Sequence, residues 1–172
     1  MLNGMNEADV QRILESQFRA SLAMLKHAIE KCPEELWTSE AQQNRFWHLA
    51  YHALFFTHLY LQPSEASFQP WAKHKPNVQF LGAPPLAPNE PVVIPTPYTR
   101  EEVAEYLGLC GAEVAVKVPA VPLDADSGFP WLPFSRLEVH LYNIRHIQHH
   151  AGQLADRLRN AAGVASPWVR MG

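Results

Sequence analysis

Six of the nine histidines lie in two short stretches, Phe46-Trp-His48-Leu-Ala-Tyr-His52-Ala-Leu-Phe-Phe-Thr-His58 and Arg145-His146-Ile-Gln-His149-His150-Ala-Gly-Gln153. A neutral imidazole is the commonest protein ligand for transition metals. His146 and His150 stand four apart, so on a helix they leave one face on adjacent turns, about 5–6 Å from each other. Two imidazoles so placed can converge on one ion, the geometry that HExxH zinc sites use. His149, three residues after His146, lies on the flank of that face and is the alternative partner. The same spacing also fits a solvated polar stripe on an exposed helix.

In the other stretch, His48 and His52 sit among Trp47, Leu49, Leu54, Phe55, Phe56 and Leu59. Burying an imidazole without a partner costs on the order of 1–3 kcal/mol, so a histidine here is either hydrogen-bonded in the core or shares a site. Two on one face, in a chain with a second pair elsewhere, point to a shared metal centre in which His48 or His52 meets His146 and His150. Three neutral nitrogens suit Zn²⁺ or Ni²⁺, with iron as a third choice. No Asp or Glu accompanies them at ExxH spacing, which argues against a di-iron carboxylate site. Three protein ligands leave a position open, the pattern of a Lewis acid that lowers the pKa of water or holds a thiol as thiolate.

Positioning such a centre requires helices, and their starts are legible. Asn6 precedes Val10, Ile13, Leu14, Phe18, Leu22, Leu25 and Ile29 at three- and four-residue steps, until Cys32-Pro33 ends the run. Ser39 to Gln42, Thr99 to Glu102 and Ser135 to Glu138 each match the capping-box pattern ahead of an apolar segment. The spacing predicts helices over about 7–32, 41–61, 100–118 and 136–162. Leu137, Leu141, Ile144, Leu154 and Leu158 form the expected core stripe of the last, and Gly163 its C′ residue.

Nine of the fifteen prolines lie between Pro63 and Pro97, and four more between Pro119 and Pro133. The segment from Pro91 to Pro95 is too short and too proline-bounded for a central strand. The expected fold is therefore all-α, a four-helix up-down bundle with a long proline-rich connection between its second and third helices. Trp71, Phe80, Phe129 and Trp131 in the insertions are placed either to cover the open side of the site or to cap apolar ends of the bundle.

Length and charge bound the rest. A chain of 172 residues is most simply one domain, residues 1–172, long enough to bury roughly two-thirds of its unfolded surface. A net charge of −3 offers no footprint for nucleic acid or an anionic membrane. No apolar run reaches the ~18 residues of a membrane span. The first sixteen residues show no basic leader with an apolar core, and Cys32 and Cys110 are isolated. A cytoplasmic protein with free thiols is the expectation.

Taken together, Glu35-Leu-Trp37, the second-helix histidine followed by aromatics, Tyr98-Thr-Arg-Glu-Glu102 and His146-xxx-His150-Ala-Gly-Gln-Leu154 make the chain resemble the DinB-like superfamily of metal-dependent proteins. The resemblance spans most of the chain and implies metal ligation by His150 and His146. It favours His52 as the helix-two ligand, since Thr57 and Tyr60 stand at the family's offsets of five and eight. His48 then supports the site or substitutes in it. It further implies a homodimer, with thiol S-transferases and hydrolase-like members among the relatives, but it implies no particular substrate; a small molecule, a thiol among the candidates, is the expectation. The alternative is a non-catalytic metal-binding or dimerisation bundle.

Overall fold

A computed structural model describes residues 5–83, 88–89 and 96–172. Among these residues the chain is all-α, with five helices, one short 3-10 turn at Glu65–Ser67 and no strand beyond an isolated bridge between Asp126 and Ser135. The helices are α1 (Glu7–Lys31), α2 (Glu34–Trp37), α3 (Phe46–Leu61), α4 (Arg100–Lys117) and α5 (Arg136–Ala162). Among the described residues no helix is long and apolar enough to cross a membrane. The segment from Pro91 to Pro95 lies outside the described residues.

Local chemistry explains several of the helix ends. Asn6 and Thr99 each close a reciprocal capping box, with Asp9 and Glu102, so two orphan amides are satisfied at the start of α1 and of α4. At α5 only half of the pattern forms, Ser135 accepting from the Glu138 amide at 3.5 Å. Gly163, with φ 65°, takes the left-handed position that ends α5.

The predicted start of the second long helix is wrong. Residues 39–45 are irregular, α3 begins at Phe46 behind an Arg45 cap that makes no side-chain bond, and the unpredicted α2 forms at Glu34–Trp37. Ser39 Oγ accepts from the Ala41 amide instead of closing a box. Glu40 to Gln43 are all exposed, so no burial rewards an extra helical turn there.

The expected stripe on α5 is also shifted. Leu141 is 54 % exposed, and Leu137 and Ile144 are half-buried. The enclosed face is Val139, His140, Asn143, Ile147, His150, Ala151, Leu154 and Leu158. Polar residues occupy inward positions along the first half of the helix, so a count of apolar residues alone places the face out of phase. Ile13 on α1 is likewise exposed.

Helices α3 and α5 run antiparallel and hold the site between them. At one end Arg157 Nη1 donates to Asn44 O at 2.6 Å, just before α3. Midway, Asn143 Nδ2 donates to Thr57 O at 3.1 Å. At the far end the enclosed Arg136 gives hydrogen bonds to the carbonyls of Tyr60, Gln62 and Pro63, capping α3 with a cation where its dipole is negative. α1 packs against α5, α4 packs against α3, and α1 and α4 pack on each other.

Candidate metal centre

The structure brings His52 of α3 together with His146 and His150 of α5 and leaves His48 and His149 outside. The Nε2 atoms of His52 and His150 each lie 3.1 Å from His146 Nε2, and one ring nitrogen from each residue falls within 4.8 Å of the other two. No other His, Cys, Asp or Glu among the described residues joins them.

What each ring does with its other nitrogen determines the chemistry. His52 Nδ1 donates to the Gln79 carbonyl at 2.6 Å, and His150 Nδ1 donates to the Gln153 side-chain oxygen at 2.8 Å. A carbonyl only accepts, so both protons sit on Nδ1 and both Nε2 atoms present bare lone pairs. His146 alone could supply a proton to the centre, yet two contacts would need one each. If it does so, its Nδ1, which is buried and has no hydrogen-bond partner, is left an unsatisfied acceptor. Hydrogen bonding therefore does not account for the cluster. A cation does, because it accepts three lone pairs with no proton between them. Ligands about 2.0–2.1 Å from a tetrahedral zinc lie roughly 3.3–3.4 Å apart, close to the 3.1 Å of the two pairs that meet at His146.

Electrostatics points the same way. Burial pushes His52 down to about 4 and His146 down to about 3, with the neighbouring histidines adding to the shift in each. Burial also lowers His150, against the opposing effect of the Gln153 hydrogen bond. All three are neutral at pH 7, the state a metal ligand needs.

The other sequence candidates have different neighbours. His48 Nε2 donates to Val78 O at 2.7 Å, its ring stacks on Trp47, and its buried Nδ1 has no partner. His149 is exposed and meets His150 only edge to face, at 4.9 Å between ring centroids. Trp71 stacks on Tyr106 and packs beside Tyr98, away from the histidines. Phe129 packs on Tyr60 with Trp131 beside it. Phe56 is the aromatic that borders the centre, 4.9 Å from the His52 ring and 5.7 Å from that of His146.

One contributor to the centre has no signal in the sequence. The Gln79 carbonyl is a backbone group, delivered by a turn whose Asn77 adopts φ 66°. His140, fully enclosed with neither ring nitrogen bonded, stands on the same face of α5 and is pushed down to about 4 by burial, with the Arg136 charge adding to the shift. Cys32 and Cys110 are free, buried thiols raised by burial, Cys32 to about 12, and both lie apart from the centre. Compared with models of known protein families, with curated proteins and with solved structures, the chain matches none of them.

Proposed function

We propose that this chain is a divalent-metal protein of the DinB-like type, in which His52, His146 and His150 hold the ion and a small molecule, a thiol among the candidates, reacts at the open side. The observation that carries the reading is the convergence of three Nε2 atoms, with the Nδ1 protons of His52 and His150 turned outward to fixed acceptors. Outward hydrogen bonds of this kind set the tautomer and orientation of ligating histidines. Three protein nitrogens without a fourth donor among the described residues is the donor set of catalytic rather than structural zinc. When loaded, such a centre supplies Lewis acidity, which polarises a substrate oxygen or stabilises a thiolate at neutral pH.

The chain's own residues do the preparation. Gln79 O and Gln153 fix two rings, burial keeps all three neutral, and Phe56 shields one side from water. The helix arrangement that serves this is a four-helix bundle of α1, α3, α4 and α5. Its support is the contact pattern: Phe18 meets His140 and Met24 meets Gln148, as parallel α1 and α5 require, while Leu54 meets Cys110 and Gln62 meets Glu113, as parallel α3 and α4 require. We read this as up-down-down-up, with the proline-rich segment as the crossover between α3 and α4.

Elemental analysis of protein purified without a histidine tag tests the reading. The expected result is close to one zinc, nickel or iron per chain, lost in His146→Ala and in His150→Ala. Full metal content in both variants would falsify it.

A further inference from the structure

Beside the centre, on the C-terminal side of His150, lies a cavity of about 460 Å³ between α5 and the irregular segment that precedes α3. Ser39, Gln42, Gln153, Asp156, Arg157 and Asn160 are the polar residues of its lining, and it opens to solvent. Arg157 spends Nη1 on the Asn44 carbonyl. Its Nε and Nη2 have no hydrogen-bond or ion-pair partner among the described residues, and neither nitrogen is an enclosed orphan. That free edge of a guanidinium takes a carboxylate with two parallel hydrogen bonds. Gln153 stands four residues earlier, on the same face of α5. Its oxygen is committed to His150 Nδ1 at 2.8 Å, and its amide nitrogen has no partner among the described residues. Two sets of unused donors, one of them charged, therefore line one cavity a single side chain away from a metal-ligating histidine.

We propose that this cavity binds a small monocarboxylate between Arg157 and the Gln153 amide, and that Gln153 couples its occupancy to the metal centre. The coupling rests on the metal reading above, whereas the binding does not. Asp156 lines the same cavity and opposes a doubly charged phosphate more than a single carboxylate. A carboxylate on the Gln153 amide pulls on the same side chain that orients His150, so occupancy and metal affinity change together. By linkage the effect is reciprocal.

The test uses N-acetylglycine as probe, with inorganic phosphate and sodium chloride at matched ionic strength as controls, on metal-free and zinc-loaded full-length protein. Saturating N-acetylglycine is expected to raise the Tm of both forms by roughly 3 °C or more, and phosphate by less than half as much. Arg157→Gln and Ala161→Trp, the second filling the cavity without removing a hydrogen bond, are expected to abolish the rise while keeping wild-type zinc content. N-acetylglycine is expected to shift the zinc dissociation constant of the wild type about three-fold or more, and of Gln153→Leu not at all. No rise in wild-type protein, an equal rise in Ala161→Trp, or a phosphate response as large as that of N-acetylglycine overturns the site. An equal zinc shift in Gln153→Leu overturns the coupling. Carboxylate binding in a protein that holds no zinc sinks the metal centre and the coupling but not the cavity. Zinc at one per chain with no carboxylate response sinks the cavity alone.

Discussion

His48 and His52 stand one turn apart on α3, and each donates to a carbonyl of the same turn, Val78 O at 2.7 Å and Gln79 O at 2.6 Å. Burial lowers the pKa of both. They differ in which nitrogen is used. His48 spends Nε2, which leaves Nδ1 enclosed and without a partner. His52 spends Nδ1, which leaves Nε2 facing His146. Two histidines with the same helix, the same turn and a similar environment thus have different chemistry. Burial does not make a ligand; a bare lone pair aimed at other bare lone pairs does.

Metal affinity is the most direct way to break this comparison. His52→Ala is expected to weaken zinc binding on the order of 100-fold or more, since it removes a ligand outright, and His48→Ala by less than about ten-fold. Competition against a chromophoric chelator measures both. A larger loss in His48→Ala would reverse the assignment.

Stability without metal should rank them the other way. In chelator, His48→Ala is expected to lose about 2–4 kcal/mol, because it opens a hole beside Trp47 and strands the Val78 carbonyl. His52, only partly enclosed, should lose less than half of that. Urea denaturation decides it, and equal losses would mean that the turn holds both residues alike.

His140 extends the comparison to a histidine with no partner at all. Its folded value of about 4 lies below the unfolded value near 6.5, so the unfolded chain binds the proton more readily between them. The stability it permits is complete above about pH 6.5 and is lost as the pH falls toward 4. Between pH 6.5 and 4.5 that loss is about 2 kcal/mol. His52 and His146 titrate over the same range, so the informative quantity is the difference from a variant. In chelator, His140→Phe should remove about that much of the acid sensitivity. An unchanged slope would show that His140 binds its proton equally well in the folded and unfolded chain.

The smallest effect concerns the turn itself. Asn77 tolerates its left-handed backbone better than a branched residue does. Asn77→Gly should change stability by less than about 0.5 kcal/mol, and Asn77→Val should cost about 1–2 kcal/mol. Thermal unfolding of the two variants side by side checks this. If Val is tolerated like Gly, the turn is not what sets the carbonyls.

Much of the frame is legible in the order of residues. Asn6 and Thr99 announce α1 and α4 because side-chain capping is local chemistry, and Gly163 announces the end of α5 for the same reason. The pair His146 and His150 is legible because helical spacing alone puts them on one face. Where burial and not local bonding decides, pattern misleads. Ser39 to Arg45 stay irregular because Glu40 to Gln43 at their centre are exposed and gain no burial from a helical turn, and the inward face of α5 carries His140 and Asn143 where Leu141 is expected.

By itself, then, the sequence determined that helices form, roughly where they end, and that two histidines on the last one point the same way. The choice between His48 and His52 was tertiary. A ring presents Nδ1 or Nε2 to its neighbours according to the acceptor that reaches its other edge. Here those acceptors are backbone carbonyls 30 and 27 residues away in the chain. Arg157 is the same case, an ordinary helix residue in sequence whose free edge acquires a meaning only from the cavity folded around it.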